Sequence, residues 1–316
     1  MSNITLQDLQ FRIQDKNYLR KLDDFYTLCD SFLAFIYHQP PTRITSPNRH
    51  HYIFYQFDQL HGYRITRPLN TNLFIDRPDQ FRDEREQFTD FLGKLANDRH
   101  NVTNQPGVQT YLQSRGIHKV IYTIQQAIGC IGDSLENTNQ SRKRIGQLFE
   151  IFIRLIIQKL GLHCESRTLT IRLPDYPEYE MSYELDMVFS QGRAIIVSET
   201  RTLHEKEIVA SVKTTSKDRL DKIFLDKYLL SKLLGRDMPV IAIFLHDVQR
   251  SRIGNNSFGI SSTFKSNHFL SYTVALNRLE GVYYIGPPEH LIGRQFDEQI
   301  KEFQTFLVSD LWTLSS

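Results

Sequence analysis

The chain is poor in cysteine. Its three thiols, Cys29, Cys130 and Cys164, are odd in number and lie far apart. They offer no disulfide framework and no zinc-ligand spacing, and they fit reduced thiols in a cytoplasm. Long apolar runs are missing too, which excludes a membrane-spanning helix and its roughly 20 apolar residues. The first residues, Met1 to Asp8, are polar and acidic and lack the apolar stretch of a secretory signal. Together these features predict a cytoplasmic protein. There are no internal repeats and no low-complexity tract. The formal net charge is only +2, which argues against a non-specific polyanion binder but allows a basic cleft balanced by an acidic exterior.

What is present is a packable chain, 40% hydrophobic and 12% aromatic. Residues 5–37 read as helix, with Phe25, Leu28, Phe32, Leu33 and Ile36 on one stripe. Residues 38–80, broken by Pro40, Pro41, Pro47, Pro68 and Pro78, read as loops and short strands. Helices follow at 82–97, 108–132 and 141–160, the last ending at Gly161. The character then changes, and strands are predicted at 163–173, 181–190, 193–199, 207–214 and 239–246. A helix at 220–234, closed by Gly235, lies between the last two. Residues 250–275 read as a long loop with room for a hairpin. A strand at 282–285 and a helix at 289–308 finish the chain. A helical front half followed by a sheet flanked by helices argues α/β or α+β.

The chemistry concentrates in a few runs. In Ser182-Tyr183-Glu184-Leu185-Asp186-Met187-Val188-Phe189, alternation puts Tyr183, Leu185, Met187 and Phe189 on one face and Glu184 with Asp186 on the other. Two carboxylates on a core strand are costly unless cations or a metal pair with them. Ile208-Val209-Ala210 leads into Ser211-Val212-Lys213-Thr214-Thr215, where Ser211 and Lys213 share a face. Ser216 stands where a helix N-cap belongs, and Lys217-Asp218-Arg219 follows within one turn. The helix beyond carries Asp221, suited to a solvated first turn, and Asp226. Its Lys227 and Lys232 read as a solvated face. Upstream, Glu150 interrupts the apolar run Leu148-Phe149-Glu150-Ile151-Phe152-Ile153, after the basic Arg142-Lys143-Arg144.

Gathered together, Glu150, Asp186, Lys213 and Asp226 would make a hard-cation site with an ammonium beside it. Oxygen ligands select Mg²⁺ or a similar ion. Such an ion activates water and takes up charge on a phosphorane-like transition state. Lys213 would orient the water and stabilise a non-bridging oxygen. Singly, each residue has a plainer reading. Asp186 pairs with a lysine, Glu150 lies on a helix face, Asp226 partners Arg219 or Lys222, and Lys213 ends a strand. The case rests on order and spacing taken jointly.

That order resembles the PD-(D/E)XK nucleases, and among them the type II restriction endonucleases that recognise CC…GG sites, the EcoRII-, NgoMIV- and PfoI-like branch. The matching run is Ser211-Val212-Lys213-Thr214-Thr215 with Lys217-Asp218-Arg219, and the likeness covers residues 145–230. The resemblance implies an α/β, restriction-endonuclease-like fold, a mixed central sheet flanked by helices. Residues 106–316 would be the catalytic core and 1–105 a mainly helical, DNA-contacting part, separate from it or continuous with it. It implies a Ser-x-Lys strand carrying Ser211 and Lys213, with Asp186, Asp226 and Glu150 as metal-binding carboxylates and Mg²⁺ as cofactor. The implied reaction is hydrolysis of double-stranded DNA, leaving a 5′-phosphate and a 3′-hydroxyl. The implied partners are double-stranded DNA and a second copy of the chain, as homodimer or higher oligomer. A cognate DNA methyltransferase would protect the same site without direct binding, in a bacterial cytoplasm and away from any membrane. One departure stands out: the branch usually has glutamate where this chain has Asp226, and Glu199 is a rival ligand. Pro78-Asp79 and Pro174-Asp175 lie off the pattern.

Arginine or lysine can donate twice to guanine, and aspartate can accept from cytosine N4. Lys217, Asp218 and Arg219 at a helix start therefore suit two adjacent G·C pairs, or else a plain solvated turn. A two-fold axis would bring two such triplets onto CC and GG. Tyr52, Phe54 and Tyr55, with Arg43, Arg49 or Arg64 nearby, either stack a flipped base or pack the N-terminal part. Arg250, Arg252, Asn255, Asn256 and Lys265 are further candidates for DNA contact. Ile292, Phe296, Ile300, Phe303 and Leu307 on the last helix suit the core or a dimer interface. Two rivals remain, a structure-specific repair nuclease of the same fold and a catalytically silent DNA-binding module.

Overall fold

The computed structural model describes residues 4–57, 65–99, 101–192, 203–217, 219–254, 257–288, 291, 296 and 298–315. In chain order come α1 (Leu6–Gln14), α2 (Leu22–His38), β1 (Thr42–Thr45), β2 (Tyr52–Gln56), β3 (Leu69–Asn70), α3 (Pro78–Asn97), α4 (Pro106–Gln113), α5 (Gly116–Asp133) and α6 (Thr138–Lys159). Then follow β4 (His163–Leu173), β5 (Tyr176–Ser190), β6 (Ile208–Thr215), α7 (Leu220–Leu234), β7 (Val240–His246), β8 (Val248–Arg252), β9 (Phe258–Ser262), α8 (Ser266–Ala275), β10 (Gly281–Gly286) and β11 (Ile300–Glu302). The chain closes with α9 (Phe303–Thr305), a π-helical turn (Phe306–Asp310) and α10 (Leu311–Leu314). It divides into two compact units, Met1–Leu155 with Val248–Ser262, and Ile156–Asp247 with Thr263–Ser316.

The first unit is mainly helical. The single helix expected at 5–37 is broken in two, because Asp15 ends α1 and accepts from the Asn17 amide at 2.8 Å. Asp24 then accepts from the amides of Arg20 and Lys21 at 2.9 and 2.8 Å and starts α2. α5 is the buried centre of this unit, with Ile117, Val120, Ile121, Ile124 and Ile128 all fully enclosed. Pro78 opens α3 at its first turn, where a missing amide costs nothing, so the helix begins before residue 82. Tyr52, Phe54 and Tyr55 are buried, and Tyr52 and Phe54 pack against Val248 and Ile260 of the β8–β9 hairpin. The aromatic run therefore packs the N-terminal part. The β8–β9 hairpin is the one allowed for within 250–275, and only α8 departs from the loop expected there; Asn255 and Asn256 lie outside the described residues.

The second unit is built on a six-stranded sheet in the order β11-β10-β7-β6-β5-β4. β6, β7, β10 and β11 run parallel, and β5 and β4 are added antiparallel. One face packs on α7 and α8 through Ile223, Phe224 and Phe269, against Val209, Val240, Phe244 and Tyr284. The other carries Phe306, whose ring lies 6.1 Å from Phe189 and 4.9 Å from Tyr283. The helix expected at 289–308 is not formed as such. Ile300 pairs with Val282 in a parallel edge strand, so its backbone is satisfied by the sheet, and helix begins only at Phe303. Phe296 sits in a turn, and Ile292 lies outside the described residues. Lys227 is no solvated face residue. It is 1% exposed, and its Nζ donates to the Arg278 carbonyl at 2.5 Å and to Glu280 Oε1 at 2.6 Å. Lys232 is exposed, as expected.

Candidate active site

The site begins with a break in alternation. Opposite β4, Arg167 pairs with Leu185 but Glu165 pairs with Val188, so Asp186 and Met187 together face one residue of β4. This is a β-bulge, which bends a strand and re-aims a side chain. Before it, Tyr183 and Leu185 point to the α7 face; after it, Val188 does, while Phe189 meets Phe306 on the opposite face. The expected shared face of Tyr183, Leu185, Met187 and Phe189 is therefore split. The bulge also separates the carboxylates. Glu184 is exposed, whereas Asp186 turns toward Ser211 and Lys213 on the face that Val209 shares with α7.

Asp186 Oδ2 is held by consecutive donors of β6. It accepts from Ser211 Oγ at 3.1 Å, from the Val212 amide at 3.0 Å, and from Lys213 Nζ at 2.5 Å. The Val212 contact arises because regular pairing of β5 with β6 stops at Met187 and Ala210, and the side chain takes over the ladder. Charge-assisted bonds of this kind are short and strong. Ser211 thus acts on Asp186, orienting it. The Val212 amide was invisible to a side-chain reading of the sequence. A bulge opposite an acidic residue was its only possible signal.

Asp226 lies on α7, half-buried, within electrostatic reach of Asp186 and Lys213. Burial first, and the Asp186 charge next, raise its carboxyl above the ordinary pKa, with Lys222 and Lys213 opposing. Two oxygen donors under mutual repulsion make a set that a hard divalent cation completes. The residues present therefore fit Mg²⁺. Among the described residues no group of three or more acidic, histidine or cysteine side chains gathers into a ready-made metal cluster. Glu150 stands half-buried on α6 within the first unit, and Glu199 lies outside the described residues.

The raised carboxyl has a consequence for stability. A group whose folded pKa lies above its unfolded value stabilises the fold below the unfolded value, about 3.9 for aspartate, and loses that contribution as pH rises through the folded value. Metal-free Asp226→Asn is therefore expected to melt at or above the wild-type temperature near neutral pH, with the gain vanishing in acid. Melting curves across pH test this, and a variant less stable than wild type at neutral pH would contradict it.

Lys217 and Arg219 do not sit inside the helix. Arg219 occupies the N-cap position of α7 without a side-chain cap bond, and its amide approaches the Ser216 carbonyl at 3.3 Å. Ser216 is no N-cap. It is buried, with its Oγ 3.2 Å from Thr263 Oγ1. The outcome is a tight turn between β6 and α7 that leaves Lys217 and Arg219 exposed; Asp218 lies outside the described residues. Pro78-Asp79 is the first turn of α3, with Asp79 paired to Arg77, and Pro174-Asp175 is the β4–β5 turn.

No protein-family model matches the chain, and no curated protein matches it either. Solved structures do. The restriction endonuclease PspGI, solved with substrate DNA, is similar over 75% of this chain and 91% of its own at 13% identity, with a TM-score of only 0.37. The type IIP restriction endonuclease Kpn2I is similar over 98% of this chain and 96% of its own, at 15% identity and a TM-score of 0.68. Over nearly its whole length, then, this chain has the restriction-endonuclease-like fold, a mixed central sheet flanked by helices.

Proposed function

We propose that this protein is a type II restriction endonuclease that hydrolyses double-stranded DNA at a palindromic site with a CC…GG core. The observation that carries the reading is the bulge-directed Asp186, held by Ser211, Val212 and Lys213 within electrostatic reach of Asp226, in a fold shared with Kpn2I. Asp186 and Asp226 would hold Mg²⁺, with Glu199 as the rival to Asp226 for the second acidic place. When bound, the ion supplies Lewis acidity for attack at phosphorus. Ser211 and the Val212 amide fix the Asp186 carboxylate. Lys213, tethered to Asp186, presents its ammonium to a non-bridging oxygen and stabilises charge growing there. Water gives its oxygen to phosphorus and the 3′ oxygen leaves, taking a proton, so the products are a 5′-phosphate and a 3′-hydroxyl. A bacterial host would protect its own sites with a methyltransferase of the same specificity, which need not touch this chain.

Lys217, Asp218 and Arg219 read two adjacent G·C pairs, and a homodimer brings two such triplets onto the two halves of the palindrome. Arg219, exposed at the β6–α7 turn, is free to reach a base edge. Arg219→Ala is expected to lose about 1–3 kcal/mol of discrimination at those pairs. Duplexes with single substitutions in the CC and GG steps, bound in Ca²⁺ to suppress cutting, measure this. Uniform weakening on every duplex would reduce the triplet to a phosphate grip and remove the basis for CC…GG. Sedimentation of the same complexes reads the two chains per duplex that a palindrome reader needs.

A further inference from the structure

Tyr183 enters β5 three positions ahead of Asp186, on the face that packs against α7. It is 8% exposed, and its hydroxyl is buried with no hydrogen-bond partner. A buried hydroxyl left without a partner is rare in native proteins and calls for a reason. Its ring is fixed by the Leu169–Tyr183 pairing of β4 with β5 and by the α7-facing core. The hydroxyl therefore cannot swing to solvent without unpacking the strand. The carboxylate whose charge it feels is Asp226, which adds to burial in pushing the phenol's pKa up. Ile223 and Leu230, one turn before and one turn after Asp226 on α7, lie in the same core cluster as Tyr183, so the orphan donor and the half-buried carboxylate share the β5–α7 packing face.

We propose that Tyr183 is a positioning residue of this site, donating its hydroxyl hydrogen to the Asp226 carboxylate when a divalent cation is bound. The idea rests on the nuclease reading above and deepens it. In the cation-free arrangement no hydrogen bond joins the two groups. With a cation bound, Asp226 would stay ionised, and one of its oxygens would accept from Tyr183. The hydroxyl then finds the partner it lacks, and Asp226 is held at the angle its short arm needs. No proton is transferred, and no bond other than the hydrogen bond is made.

The test is Tyr183→Phe, which removes only the unpartnered oxygen and so leaves folding intact. Ca²⁺ binding to the protein–duplex complex by calorimetry, and the Mg²⁺ concentration giving half-maximal cleavage, are measured for both proteins. Loss of one hydrogen bond to a charged group is expected to raise both by about tenfold. The cleavage rate at saturating Mg²⁺ stays within about threefold, since the bond acts on cation retention rather than on the reacting atoms. Phe306→Leu, on the opposite face of the sheet, serves as the packing control, expected to lower the melting temperature without moving cation affinity by that factor. Unchanged Ca²⁺ and Mg²⁺ dependence in Tyr183→Phe, in a wild-type protein that binds cation and cuts DNA, overturns the Tyr183 proposal alone. A wild-type protein that binds no divalent cation on DNA overturns it together with the nuclease reading.

Discussion

Lys213→Ala and Asp186→Ala are each expected to slow DNA cleavage by roughly a hundredfold or more, the scale of losing a charge-stabilising group at a reacting centre. The two side chains meet at 2.5 Å and are only partly buried, with exposures of 28% and 17%. Neither substitution therefore opens a large cavity, and both proteins should fold. They should differ in one respect. Lys213→Ala leaves Asp186 with its bonds from Ser211 and Val212, whereas Asp186→Ala removes the acceptor of the Val212 amide and the carboxylate paired with the ammonium. Asp186→Asn separates these effects, because the amide oxygen still accepts from Ser211 and Val212 while the charge is gone. It should be as inactive as Asp186→Ala yet closer to wild type in stability. Single-turnover cleavage with saturating Mg²⁺ reads the rate, and duplex binding in Ca²⁺ shows whether DNA is still held. Near-normal cleavage by either alanine variant would remove the site from the reaction.

The largest stability effect is expected at Lys227, one residue beyond Asp226. Its ammonium is enclosed and ties α7 to the chain entering β10, through the Arg278 carbonyl and Glu280. Glu280 Oε2 in turn accepts from the Val240 amide at the start of β7. Removing the lysine leaves a carboxylate beside a buried strand end without its counter-charge. Lys227→Met should therefore cost about 3 kcal/mol, the low end for breaking a buried pair, because Glu280 keeps some contact with water. Pairing it with Glu280→Gln should recover part of the loss, since no uncompensated charge then remains. Lys232→Ala, at an exposed position over the Tyr228 ring, should change stability by no more than about 0.5 kcal/mol. Urea midpoints at unchanged slope give all three values.

The order of strands and helices over 141–190 and 207–246 was legible because period and punctuation agreed there; the strand expected at 193–199 lies outside the described residues. Gly161 and Gly235 end helices, and the β-branched Ile208-Val209-Ala210 leads into the lysine strand. The site was legible as a set of residue types but not as a geometry. Strict alternation grouped Asp186 with Glu184, and only a bulge, which depends on pairing with β4, turns Asp186 to Lys213. Ser216 had the chemistry of an N-cap, yet Thr263, distant in sequence, takes its hydroxyl, and α7 starts later at Leu220. Lys227 looked solvated because its acceptors come from the turn before β10. At the chain's end, Ile300 fits a helical stripe and a strand equally well, and the open edge of β10 decides for the strand. In each case a tertiary partner outweighed a local preference that was real but worth less.

The Asp186–Lys213 centre is proposed to cut DNA at one sequence. Incubating wild-type protein and Lys213→Ala with a sequenced plasmid and Mg²⁺ tests it most directly. Discrete fragments are expected from the wild type only, with ends that map to sites of CC…GG type and carry a 5′-phosphate and a 3′-hydroxyl. Smeared or junction-directed cutting would point to a repair nuclease of the same fold. Intact plasmid together with a gel shift would mean a silent DNA-binding module, and either result would contradict the account.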